Sequence, residues 1–187
     1  VSQNIEPSLD PNRIVWIDLE MTGLDPLIDE VIEIATIITD NELNVIAIGP
    51  ELILHQCKSR WDKMDEWNRN QHGKSGLWDK VLSSEITCKQ AEEQTLAFIK
   101  QYVPPKAVPL AGNSVWQDRR FLNRYMPSID EYLHYRIIDV STIKECVSRW
   151  YPSPKVFVKK ESHRAIDDIK ESIEELSFFR QHYFQSP

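Results

Sequence analysis

Residues 13–20, Arg-Ile-Val-Trp-Ile-Asp-Leu-Glu, form a run rich in β-branched residues that ends in two carboxylates. Side chains at i and i+2 of a strand share a face. Val15, Ile17 and Leu19 therefore line one face, while Trp16, Asp18 and Glu20 line the other. The strand is expected to be buried on both sides, with its acids at the C-terminal end. Two unpaired carboxylates there would be costly. Divalent cations are the natural remedy, and hard oxygen ligands suit Mg²⁺ or Mn²⁺. A pair of surface acids beside a turn would have the same spelling, so Asp-x-Glu alone does not decide the matter.

The rest of the chain says what surrounds this strand. Two further strand-like runs cover 30–40 and 44–55, separated by polar turn residues. From 61 to 103 the pattern is helical, with Ala91, Leu96, Phe98 and Ile99 on one face of a stretch that Thr87 could cap. Short strands are predicted over 108–113 and 135–139, each followed by a helix starting near Ser114 or Ser141, and a last helix runs over about 163–183. This order predicts an α/β fold, a mixed sheet of about five strands flanked by helices. The 187 residues suit one domain, 13–183, with an extension over 1–12 and a tail over 184–187.

Composition narrows the chemistry. Cys57, Cys88 and Cys146 are odd in number and widely spaced, which suggests neither a disulfide framework nor a cysteine zinc site and fits a reducing compartment. No apolar run approaches the length of a membrane span, and residues 1–12 lack the regions of a secretion signal, so the expected setting is cytoplasmic. A net charge of −7 disfavours a protein that tracks long nucleic acid. It still permits a nucleotide-sized substrate held by local contacts and bound cations. Gly73–Gly76 (GKSG) is not a phosphate-binding loop, because Asn68 stands where the first glycine would be required.

Two more acids stand out. Ser114 followed by Gln117 spells a capping box, which puts Asp118 in the first turns of a helix at the C-terminal edge of a strand, where ligand crevices of open α/β sheets lie. A solvated acid favourable to the helix dipole would look the same. In the last helix, Ile166, Ile169, Ile173 and Leu176 define a buried stripe. Asp168 lies on its flank and Asp167 points away, so periodicity nominates Asp168. His163, five residues before Asp168, is placed at the helix start or in the preceding loop, where it could be a metal-site neighbour or simply an exposed histidine.

Taken together and in order, the Asp-x-Glu strand, the Gly-Asn-Ser-x-x-x-Asp segment and the His-Arg-Ala-x-Asp-Asp helix resemble the three exonuclease motifs of the DEDD superfamily, in its histidine-bearing branch. The flanking stretches WIDLEMTGLDP, HGKSGL, PLAGNSVWQDRRFLNRYMP and HYRIIDVSTIKE are similar, more narrowly, to the oligoribonuclease family over roughly residues 13–183. The resemblance implies an RNase H-like fold, a homodimer, and 3′→5′ hydrolysis of dinucleotides and other very short single-stranded RNAs. It implies that Asp18, Glu20, Asp118 and Asp168 ligate two divalent cations, with His163 as general base. Such cations would activate the attacking water and steady the leaving oxygen.

The resemblance further assigns Ser114, Arg136, Ser141 and Thr142 to a 5′-phosphate, and Leu24 with Tyr135 of the partner subunit to a base sandwich. Trp67 and His72 are weaker candidates for contacts near the 3′ nucleotide. Each has a plainer reading. Ser114, Ser141 and Thr142 could cap helices, Thr142 matching a capping box with Glu145. Arg136 could be a solvated charge, Leu24 and Tyr135 core or interface residues, and Trp67 and His72 a half-buried helix face. Two other functions share the catalytic motifs: a DNA-directed proofreading or repair exonuclease, and a nucleotide-binding module without catalysis.

Overall fold

In the computed structural model, which describes residues 7–158 and 164–184, the β-branched run is the first strand, β1 (Arg13–Met21). β2 (Val31–Asp40) returns antiparallel to it, and β3 (Val45–Ile48) and β4 (Leu52–Ile53) both pair with β2. The single run expected over 44–55 is thus two strands, and the sheet has six strands instead of about five. The chain leaves the ladder around Gly49 and Pro50, and proline has no N–H to continue it.

The helical block expected over 61–103 is four pieces: α1 (Ser59–Lys63), α2 (Glu66–Lys74), α3 (Leu77–Ser83) and α4 (Cys88–Ile99). Asp65 starts α2 by accepting from the Asn68 N–H, and Gly76, at φ 67°, makes the left-handed turn between α2 and α3. Thr87 caps α4, as predicted, and does so in a full capping box with Gln90. There follow β5 (Leu110–Gly112), α5 (Trp116–Tyr125), α6 (Pro127–Tyr132), β6 (Ile137–Asp139), α7 (Val140–Trp150) and α8 (Ala165–Tyr183).

The strand order is β3-β2-β1-β5-β6, with β4 also on β2. β1, β5 and β6 run parallel, so their C-terminal ends open on one edge. Alternation along β1 divides the core as expected. Val15, Ile17 and Leu19 pack with Ala91 and Ile99 of α4 and with Phe121 and Leu122 of α5. Ile14 and Trp16 pack with Val140 and Val147 of α7 and with Ile169, Ile173 and Phe179 of α8. Trp16 is fully buried and its Nε1 donates to Thr39 Oγ1 at 3.0 Å. Each such buried side chain contributes about 1.5–3 kcal/mol. Among the described residues no helix is long and apolar enough to cross a membrane.

β5 lies close to β1 because position 112 is glycine. An added Cβ would meet Val115 Cγ2 at 2.9 Å and the Ile17 carbonyl at 3.1 Å. Gly112→Ala is expected to cost roughly 1–3 kcal/mol by overpacking. Urea unfolding should show a lower midpoint at unchanged slope; an unchanged midpoint would mean that this seam yields freely.

Candidate active site

Asp18 and Glu20 project from β1 on the side covered by α8, continuing the face that carries Trp16. Asp168 comes to meet them from the first turn of α8, with its N–H donating to the Arg164 carbonyl at 2.9 Å. One carboxylate oxygen from each of Asp18, Glu20 and Asp168 lies within 4.8 Å of the others. Asp118, in the first turn of α5, reaches the same stretch of β1 from the β5 side. β1 and β5 stop pairing at Trp16 and Ala111, which leaves the Leu19 N–H without a strand partner. Asp118 Oδ1 supplies the acceptor, at 3.0 Å.

This crowding is electrostatically strained. Burial pushes the Asp18 carboxyl well above its usual range, and the charges of Asp118, Glu20 and Asp168 push it further. Glu20 is raised to about 8, chiefly by burial and then by Asp168, Glu33 and Asp118, against a lowering influence from Arg164. Asp118 is raised to about 7 by burial, although the Leu19 N–H favours its charged form. A cluster of hard oxygen donors whose ionised forms repel one another fits divalent cations of the Mg²⁺ or Mn²⁺ type. Asp118 stands beside the close trio of Asp18, Glu20 and Asp168, acting on Asp18 by its charge.

Sequence reasoning missed one neighbour of this cluster. Glu33, fully buried on β2, lies directly across from Glu20 in the β1–β2 register. Its carboxylate is gripped by Arg164, which also reaches Glu51. A glutamate inside the apolar run of β2 was the only local sign.

The capping assignments need correction. Ser114 does not cap α5. It sits at φ 56° in the turn before that helix; Gln117 donates to the Leu24 carbonyl through Nε2 and accepts from Arg120 at Oε1, while the Ser114 N–H goes to Asp139. Thr142 and Glu145 do not form a capping box either: α7 is capped by Asp139, and Glu145 pairs with Arg149. Asp139 Oδ1 accepts from the Ser114 N–H at 2.9 Å, the Ser141 N–H at 3.0 Å and the Ser141 hydroxyl at 2.6 Å. Ser114 and Ser141 hydroxyls stand 3.2 Å apart. One aspartate thus draws the β5–α5 turn and the start of α7 together and holds Ser114 in a conformation non-glycine residues rarely adopt.

Leu24 and Tyr135 are largely exposed, each on well-tethered backbone. The Leu24 turn closes on Asp29, whose carboxylate accepts from the Thr22 hydroxyl and the Asp25 N–H, and a Cβ on Gly23 would collide with that carboxylate. The Tyr135 carbonyl accepts from Arg119, and the Arg136 guanidinium stacks over the Tyr135 ring at 5.5 Å. Trp67 is exposed on α2, whereas His72 is buried with Nε2 2.8 Å from the Met21 carbonyl, at the end of β1. Thr142 is exposed near the start of α7. His163 lies outside the described residues.

Residues 15–176 match the exonuclease family of the RNase T type. An oligoribonuclease of Shewanella sp. (strain MR-4) is 53% identical over 177 residues, which is 94% of this chain and 98% of that protein. An oligoribonuclease of Pseudomonas syringae pv. tomato is 56% identical over 173 residues, 92% of this chain and 97% of its own. Among solved structures, exonuclease I from Methylocaldum szegediense superposes with a TM-score of 0.67 at 16% identity, over 91% of this chain and 41% of that one. E. coli exonuclease I in complex with a dT13 oligonucleotide gives 0.68 at 14%, over 90% and 41%. This chain therefore spans about 41% of those exonuclease I chains, and the likeness to them is one of fold, with the expected RNase H-like arrangement of a mixed sheet between helices. On both sequence comparisons the chain belongs to the oligoribonuclease family of exonucleases.

Proposed function

We propose that the chain is a 3′→5′ exoribonuclease that hydrolyses dinucleotides and other very short RNAs to nucleoside 5′-monophosphates. The observation that carries this reading is the convergence of Asp18, Glu20 and Asp168 oxygens, with Asp118 alongside, at the C-terminal edge of the parallel strands. Asp18, Glu20, Asp118 and Asp168 hold two divalent cations, Mg²⁺ or Mn²⁺. When bound, such ions supply an activated water and neutralise charge on the scissile phosphate. His163, next to Arg164 in the sequence, takes the proton of the attacking water on an imidazole nitrogen, a side-chain type suited to accepting a proton near neutrality. Water oxygen bonds to phosphorus, the bond from phosphorus to the 3′-oxygen breaks, and the released nucleotide keeps the phosphate on its 5′-oxygen.

Length selection comes from the far end of the substrate. Ser114, Ser141, Thr142 and Arg136 take the 5′-phosphate, Arg136 as a planar donor fork. The short link that Asp139 makes between the β5–α5 turn and α7 keeps two of these groups together. Leu24 and the partner subunit's Tyr135 sandwich a base in a homodimer, a use that suits large apolar side chains exposed on tethered backbone. Trp67 and His72 flank the 3′ nucleotide.

The test compares 5′-labelled two- and seven-residue RNAs with the matching DNAs. The dinucleotide RNA should be cleaved fastest, and Asp118→Ala should abolish mononucleotide release in folded protein. Equal rates on both lengths would remove the 5′-phosphate assignment. Faster cleavage of DNA would favour the DNA-directed reading, absent hydrolysis by the wild type would favour the silent module, and cation-independent hydrolysis would remove the cation-ligand assignment.

A further inference from the structure

We propose that Glu33 and Arg164 are positioning residues, an ion pair of a buried glutamate and a partly buried arginine that sets the first turn of α8, and with it Asp168, against β1 opposite Glu20. The inference rests on the reading of Asp18, Glu20, Asp118 and Asp168 as cation ligands. Arg164 Nε lies 3.1 and 3.3 Å from the two oxygens of Glu33, and its Nη2 lies 2.8 Å from Oε1. The same Nη2 reaches Glu51, in the connection between β3 and β4. Arginine presents a flat, two-pronged donor set, so a carboxylate gripped in this way fixes the direction of the side chain as well as its distance.

Both ends of the clamp touch the catalytic cluster. At one end Glu33 is the cross-strand partner of Glu20, and paired residues in an antiparallel ladder project to the same face. At the other, the Arg164 carbonyl accepts the Asp168 N–H at 2.9 Å, so one residue carries the clamp on its side chain and the ligand's backbone on its own. The pair also keeps a further carboxylate out of the cluster. Glu33 is fully buried beside Glu20, yet the close trio is Asp18, Glu20 and Asp168, because Glu33 is turned onto the guanidinium. Stability alone does not call for such a pair, since apolar residues of similar volume commonly serve as well or better.

The experiment uses the full chain and two readouts: Mn²⁺ binding by isothermal titration without substrate, and kcat and KM on a 5′-phosphorylated dinucleotide. Groups that orient metal ligands typically matter by about 10–100-fold. Arg164→Ala should weaken Mn²⁺ binding and lower kcat by roughly that factor, with KM within about threefold. Arg164→Lys keeps the charge but not the fork and should recover only part of the loss. Arg164→Ala combined with Glu33→Gln should lose no more than the worse single variant, because the two act as a unit. If Arg164→Ala does not fold, Arg164→Lys and Glu33→Gln carry the test. Wild-type Mn²⁺ affinity and kcat in both of those, with only the melting temperature lowered, would overturn the proposal and leave a structural ion pair. Asp18→Asn separates the two levels: if it binds Mn²⁺ as the wild type does, the cation-site reading falls and takes the clamp's role with it, whereas lost binding there beside unchanged clamp variants overturns the clamp alone.

Discussion

Asp18→Asn is expected to lower turnover on a short RNA by about a thousandfold or more, and at the same time to raise the melting temperature of the cation-free protein at pH 8. On the proposed cation site, the first effect follows from removing a central donor to ions that would stabilise developing charge, a contribution of several kcal/mol, where about 4 kcal/mol is a thousandfold. The second follows from the site itself. Asp18 is buried among Asp118, Glu20 and Asp168, all of which disfavour its charge. An amide of the same shape removes the repulsion and leaves the packing of β1 in place. A gain of roughly 5 °C is reasonable for a domain of this size, where each kcal/mol moves the midpoint by about 2–4 °C. Melting in excess chelator, followed by circular dichroism, decides it. A variant that melts no higher than wild type at pH 8 would show that the carboxylates are not in conflict.

The wild-type protein should show the same conflict as a dependence on pH. Glu20, ordinarily near 4.5, is raised to about 8 in the folded protein, and Asp118, ordinarily near 3.8, to about 7. The folded state thus holds protons that the unfolded chain has released. The stability this represents is present below the unfolded values and is lost as pH rises through about 7 and 8. In chelator the melting temperature should therefore fall between pH 6 and 8.5, by roughly 10 °C if the loss is a few kcal/mol. On the proposed reading cations would bind the ionised carboxylates, so Mn²⁺ or Mg²⁺ should restore stability, and restore more of it at the upper end of that range. A chelated protein whose midpoint is flat or rising across the same interval would contradict the electrostatic account. Near-equal stabilisation by Mn²⁺ at both ends would do so as well.

What could be read in the chain before folding follows the reach of each signal. Period-two alternation placed Asp18 and Glu20 on the face of Trp16, and that face is the one α8 covers. Helical periodicity chose Asp168 over Asp167, and it is Asp168 that joins the cluster, while Asp167 pairs with Lys170. Both inferences need only neighbouring residues. The capping boxes expected at Ser114 and Thr142 failed for a complementary reason: the residue types were right, but other partners had a stronger claim. Gln117 is drawn to the Leu24 carbonyl, and Asp139 both takes the Ser114 N–H and caps α7. The break at Gly49 and Pro50 was written in the residues, yet the apolar character on either side hid it. Glu33 and Arg164, 131 positions apart, gave no joint signal at all, since only the folded sheet brings them together.

The brevity of the outer strands has a consequence for how these molecules meet. β6 has three residues, and the opposite margin is shared by β3 with four and β4 with two, interrupted around Pro50. Neither margin offers an incoming polypeptide a long row of free peptide groups, so runaway sheet extension and fibre growth are discouraged. Copies that associate are left to do so through side chains, and large ones stand ready outside the sheet in Tyr135, Trp150 and Tyr151.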